Sequence, residues 1–282
     1  MDPLVLTLVL SAAVCHAGWN ALVKSGDAPW VRMATMMAIS GVCGLVMTPF
    51  FPMPEAAVWP YLLGSAIIHQ VYFTTVCLGY RLGDLSQVYP IQRGIAPFLV
   101  AAGAYFAAGE TLNTAGIVSV AIIGLAIISL TTGKRGESVN PKAVACALGT
   151  GTMIAAYTVL DGLGGREAGD VFGYIAWLMV IGAFPFGLSV AFFHRQTPLS
   201  ELRQDIRVGV FGGLLTFAAY GAVIWALSIT PMTYVSALRE TSVVIAALIG
   251  SRMLNEPFGG RRIAAAACVA AGVILLQLSR AV

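Results

Sequence analysis

The sequence predicts an all-α polytopic membrane protein with ten transmembrane helices arranged as two inverted five-helix repeats. Three observations predict it. The 282 residues are 58% hydrophobic and 10% charged, with a mean hydropathy of +0.85, whereas soluble domains carry about 25% charged residues. Ten apolar runs follow one another with short polar breaks between them, and the longest polar stretch, Thr131 to Pro141, divides them five and five. A helix crossing a ~30 Å hydrocarbon core takes about 20 residues, so ten use about 200 and leave roughly 80 for loops and tails. No separate soluble domain fits in that remainder. The net charge of +3 is too small for a nucleic-acid footprint, so the expected partners are the lipid bilayer and a small-molecule substrate. Nucleic acid and an obligatory protein partner are not expected.

The runs justify themselves in order. The first, 4–24, has no positive region before it and no small-residue cleavage site, so it is a span rather than a signal peptide. The second, 30–51, carries Gly41 and Gly44 at the spacing that lets helices approach closely. The third is 59–80. The fourth, 85–108, has Pro90 and Pro97 flanking Arg93. Each proline removes a backbone donor and frees a carbonyl, so a kinked helix at a midplane site is expected there. The fifth, 112–130, completes a first repeat of residues 1–130, and 131–141 is the connecting loop. Residues 142–282 form the second repeat, with spans at 142–163, 171–194, 206–228, 231–253 and 259–280. Gly162-Leu-Gly-Gly165 falls in a loop on this reading, and Gly209, Gly212 and Gly213 are packing residues.

Five spans per half is an odd number, so the second half enters the membrane from the opposite side and the halves are inverted. A shift of 146 places Arg93 on Arg239 and Glu110 on Glu256, although few other residues match. In the first and sixth spans a shift of 137 puts Asn20 on Tyr157 and Lys24 on Asp161. In the loops and at the span ends, leaving out the deep Arg93 and Arg239, twelve basic residues fall on one side of the membrane, and only Arg166 and Arg280 fall on the side of both termini. By the positive-inside rule both termini lie outside.

Residues that do not suit lipid are the site candidates. Arg93 and Arg239 each lie about eight residues, or roughly 12 Å, inside a span, too deep for easy snorkelling. Two such guanidiniums can grip a carboxylate or phosphate bidentately; alternatively, Glu240 and backbone carbonyls neutralise them as buried struts. Arg239 and Glu240 are neighbours on different helix faces, so a pair between Arg93 and Glu240 is the more natural one. A second group is polar and aromatic. His16, Trp19 and Asn20 share one face of the first span, and His69 shares a face of the third with Tyr72. Tyr80, Tyr89, Gln92, Tyr157, Tyr220 and Trp225 complete it. Rings with polar tips suit a cavity for an amphipathic solute, or else membrane-interface belts and interhelical hydrogen bonds. His16 and His69 are the candidate proton carriers, and a facilitator needs neither.

The five cysteines stand singly in apolar runs and read as small buried hydrophobes. No HExxH, GxSxG or GxxxxGK[ST] pattern occurs, so no catalytic residue, metal or cofactor is expected.

Tyr80-Arg-Leu-Gly-Asp-Leu-Ser86, Val88-Tyr89-Pro90-Ile91, Arg93-Gly94, Ala96-Pro97 and Gly109-Glu110-Thr-Leu112 resemble the drug/metabolite transporter superfamily, in particular its EamA-type members and the YddG-like amino-acid exporters. Trp19-Asn20 with Lys24 resembles the opening of that repeat. Trp225-Ala-Leu-Ser228, Asn255-Glu256-Pro257 and Gly272-Val-Ile-Leu-Leu276 resemble its second copy. The resemblance implies ten helices and export of metabolites such as amino acids. It also implies a central cavity lined mainly by the first, third, fourth, sixth, eighth and ninth helices. Small multidrug-resistance relatives couple protons through a first-helix glutamate; here that helix offers only His16.

The expected function is therefore a secondary-type exporter of amino acids or similar small amphipathic metabolites in a bacterial inner membrane, working by alternating access. The alternative is a transporter of phosphorylated or phosphonate metabolites held by the two arginines. An intramembrane lipid-modifying enzyme is the reading from another class, and it lacks a visible nucleophile.

Overall fold

The computed structural model describes residues 2–25, 29–83, 85–129, 140–193, 199–253 and 260–279. Its elements are α1 (Pro3–Lys24), α2 (Pro29–Met47), α3 (Trp59–Leu82), α4 (Leu85–Ala108) and α5 (Thr114–Ser129), then α6 (Pro141–Glu167), α7 (Val171–Phe193), α8 (Leu199–Ile229), α9 (Met232–Arg239), α10 (Thr241–Met253) and α11 (Gly260–Leu278). Two short 3-10 turns join α2 to α3, and no strand occurs among the described residues. The fold is all-α and polytopic. Seven of the apolar segments are long enough to cross a membrane, and shorter apolar helices cover 114–129 and 264–278. With α9 and α10 counted as one broken span, the element order is compatible with ten crossings. Residues 131–139 of the expected connecting loop, and Asn255, Glu256 and Pro257, lie outside the described residues.

Both halves begin in the same way. Asp2 caps α1 by accepting the Leu4 N–H at 2.7 Å, with Pro3 at the first helical position. Asn140 caps α6 by accepting the Lys142 N–H at 3.0 Å, with Pro141 in that place. An Asx side chain satisfies one of the orphan donors of a helix start, and proline fits there because it has no N–H to orphan.

The packing is unchanged when the halves are exchanged. α3 lies on α6 as α1 lies on α8, and α4 lies on α6 as α9 and α10 lie on α1, while α2 packs on α7 and α5 on α11. Small residues make the close approaches. A Cβ on Gly44 would stand 2.7 Å from both the Ala176 carbonyl oxygen and the Met179 Cβ of α7. Gly209, Gly212 and Gly213 of α8 meet Thr35, Met36 and Ile39 of α2 at similarly short range. Large apolar side chains such as Val46, Ile67, Leu125, Leu188 and Phe192 point outward, where lipid replaces water as the solvent.

One local expectation, the loop at Gly162 to Gly165, is corrected. α4 continues as one helix through Pro90 and Pro97, and a helix interruption falls at Glu240, between α9 and α10, where no proline stands. There the Glu240 N–H turns back to the Ala237 carbonyl at 3.2 Å and α10 starts afresh. Gly162-Leu-Gly-Gly165 is helical and belongs to α6, which continues to Glu167. These glycines are contact surfaces: a Cβ on Gly162 would stand 2.8 Å from Met232, and one on Gly164 2.6 Å from Tyr174.

Candidate functional site

The central cavity is aromatic and small. His16 and Trp19 come to it from α1, His69, Tyr72 and Phe73 from α3, Tyr157 from α6 and Tyr220 from α8. Met37 and Ser40 of α2 and Leu178 to Ala183 of α7 close the rest. Its volume is about 50 Å³, and one water takes about 10–15 Å³ on this measure. That is room for about three to five waters.

The helical spacing of the sequence becomes ring packing. His69 stacks on Tyr157 at 4.2 Å between centroids and meets the edges of Tyr72 and Tyr220 at 6.0 and 5.2 Å. His16 and Trp19, three residues apart on α1, form an edge contact at 5.1 Å. His16 Nδ1 and Trp19 Nε1 are buried polar atoms of the lining without a partner among the described residues. Buried polar atoms ordinarily find one.

Below the cavity, the other candidates form two assemblies that do not line it. The Tyr80 hydroxyl donates to Asn20 Oδ1 at 2.6 Å and accepts from Gln92 Nε2 at 3.3 Å, while Asn20 Nδ2 donates to the His16 carbonyl at 2.8 Å. This chain ties α1, α3 and α4 together. Tyr89 joins α4 to α10 through a 3.0 Å hydrogen bond with Ser242. Beside them, Arg93 Nη2 lies 3.0 Å from Glu240 Oε1, each side chain 1% exposed. The ion pair leaves much unsatisfied: among the described residues Arg93 makes no hydrogen bond of good geometry, and Glu240 Oε2 has no partner.

Arg239 connects this charged layer to the cavity. Its guanidinium stands 6.0 Å from the centre of the cavity-lining Tyr220 ring, and its Nη2 is buried without a partner among the described residues.

Asp161 was missed among the sequence candidates. It is fully buried on α6, where it accepts a hydrogen bond from the Tyr174 hydroxyl at 2.9 Å and another from the Tyr220 hydroxyl. The signal was present, since a carboxylate in an apolar run is a candidate by the rule that selected Arg93. Ending the sixth span at 163 placed Asp161 at a border, whereas the further turn to Glu167 puts it inside. Tyr220 thus bridges the two charges, its ring near Arg239 and its hydroxyl on Asp161.

Trp225 stands apart from the other candidates. It lines a separate outer groove with Leu8, Met47, Phe172 and Phe217 and reaches none of the cavity rings. The helices lining the cavity also differ from expectation: α2 and α7 contribute, and α4 and α9 do not. Arg93 of α4 instead meets Glu240, the C-cap residue of α9, in a buried ion pair outside the cavity lining.

An all-α bundle crossing the membrane many times around an internal, aromatic, charge-backed cavity defines the class of a solute-handling membrane protein. Residues 141–278 match the model of the EamA-like transporter family, beginning at the first residue of α6 and ending with α11. That half of the chain is EamA-like, and the match supports a membrane transporter of the drug/metabolite transporter superfamily rather than an enzyme. A solved structure titled "Crystal structure of protein" is similar at 16% identity and TM-score 0.74, covering 99% of this chain and 99% of that one. At that identity the likeness is one of fold. No curated protein matches the sequence.

Proposed function

We propose that the protein is a secondary-type exporter of amino acids or similar small amphipathic metabolites in a bacterial inner membrane. In this reading two inverted repeats, 1–130 and 142–282, alternate the access of one central cavity. The supporting observation is a buried cation at the cavity wall: Arg239 stands 6.0 Å from the centre of the cavity-lining Tyr220 ring. A carboxylate entering the cavity takes the donors of Arg239, while the rings of His69, Tyr72, Tyr157 and Tyr220 enclose the apolar part. Trp19 and His16 supply hydrogen bonds from the opposite wall. Asn20, Tyr80, Tyr89 and Gln92 hold the helices that carry these groups.

Phosphorylated or phosphonate solutes are the second reading, and they need both arginines. The contact of Arg93 with Glu240 at 3.0 Å weighs against it, since one of the two cations already faces a carboxylate. Uptake by reconstituted liposomes tests both. Neutral amino acids are expected to enter, with uptake lost in Arg239→Gln. Transport of phosphorylated solutes alone, abolished by Arg93→Gln, overturns the first reading in favour of the second.

A further inference from the structure

Two cations at opposite membrane faces make the same pair of contacts. Lys24, the last residue of α1, donates through Nζ to the Tyr80 and Gly83 carbonyls at 2.8 and 3.0 Å. Arg166, in the last turn of α6, donates through Nε to the Leu227 carbonyl at 3.1 Å and through Nη2 to the Thr230 carbonyl at 3.0 Å. Leu227 and Thr230 stand 147 residues after Tyr80 and Gly83, and the start of α9, Met232, stands 147 after the start of α4, Leu85. Each cation therefore holds the C-terminal end of one helix, α3 or α8, where the chain turns into the next, α4 or α9. The final carbonyls of a helix have no partner within it and carry the negative end of its dipole, so a cation there is a strong cap.

In this register Arg93 corresponds to Glu240 rather than to Arg239, so the buried ion pair joins equivalent positions of the two halves. The two capped turns lie on either side of it. α1 and α6 traverse the membrane in opposite directions, so their ends, with Lys24 and Arg166, lie at opposite faces. Between the capped turns the cavity has only about 50 Å³. Both caps are made in this one structure.

We propose that Lys24 and Arg166 are the two gate latches of the transporter, engaged together in this structure and released one at a time, each freeing its own helical hairpin. Lys24 latches the α3–α4 hairpin, and Arg166 latches the α8–α9 hairpin. Glu110 reinforces the second latch. Its Oε1 accepts from Arg166 Nη2 at 2.6 Å and from the Met232 N–H at 3.0 Å, tying the segment after α4 to the start of α9. On the first side Asn140 Nδ2 donates to the Leu82 carbonyl at 3.2 Å, joining the segment before α6 to the end of α3. The proposal rests on the alternating-access reading and is independent of which solute is carried.

Hydrogen exchange on the full chain in lipid nanodiscs, without solute, tests it. In Arg166→Gln, amides at the α8–α9 turn are expected to exchange about tenfold faster, the effect of losing one stabilising contact in a local opening, while those at the α3–α4 turn become no faster. Lys24→Gln is expected to do the converse. Faster exchange at both turns in either variant, at neither, or only at the distant turn overturns the proposal. Should Arg166→Gln yield no folded protein, Glu110→Gln weakens the same latch and is judged by the same outcomes. Failure of amino-acid uptake with exchange behaving as described removes the substrate reading and leaves the latches standing.

Discussion

At the scale of single residues, the charges in the membrane are arranged to need one another. Removing one partner of a buried ion pair leaves a desolvated charge, which costs about 3–5 kcal/mol. Arg93→Gln and Glu240→Gln are each expected to lower the thermal unfolding temperature in detergent markedly. The double replacement by methionine, which removes both charges and keeps volume, recovers most of the loss. Tyr220→Phe takes one donor from buried Asp161, a loss of about 1–3 kcal/mol, and frees the ring from its tether between Asp161 and Arg239. Reduced stability together with reduced solute uptake is the expected outcome, measured by unfolding and liposome assay on the same preparations. Legibility at this scale was uneven. Arg93, Arg239 and the face shared by His16 and Trp19 stand out because charge and aromatic spacing are sequence properties. Asp161 did not, because its burial depends on one extra helical turn whose glycines resemble a loop. Trp225 looked equivalent to the cavity aromatics until packing turned it to the outer surface.

At the scale of elements, close helix contacts decide where space is left. Gly44 sits where α2 and α7 touch, and its absent Cβ would meet backbone and side chain at 2.7 Å. Gly182, a cavity-lining residue on α7, has nothing within 4 Å of such an atom. Gly44→Leu is therefore expected to abolish a monodisperse peak in size-exclusion chromatography, since overpacking typically costs about 1–3 kcal/mol even for smaller insertions. Gly182→Ala leaves that peak unchanged and lowers uptake by narrowing the cavity. The spans were legible nearly to their ends because apolar length is dictated by bilayer thickness. The broken span was not: no helix-breaking residue marks its position, whereas α4 holds Pro90 and Pro97 within one continuous helix. The break falls at Glu240, where the carboxylate meets Arg93 of a helix from the other half.

At the scale of the whole molecule, exchange symmetry relates the halves although their sequences share few residues. It is visible in the Asx–Pro starts of α1 and α6, in the helix pairings, and in the carbonyls capped by Lys24 and Arg166. Ten crossings put both termini on one face, and by the positive-inside rule we propose that this is the outer face. Tags at the two termini are expected to react with an impermeant reagent from outside intact cells; labelling of only one tag contradicts the even count. The sequence by itself determined the solvent, the number and order of the spans and the scarcity of intramembrane charge, because these follow from hydropathy and length along the chain. Only the tertiary structure decided which charges meet, which aromatics face inward and which carbonyls are capped. Those outcomes depend on helices 56 to 153 residues apart in sequence being brought within hydrogen-bond distance, and no local pattern encodes that register.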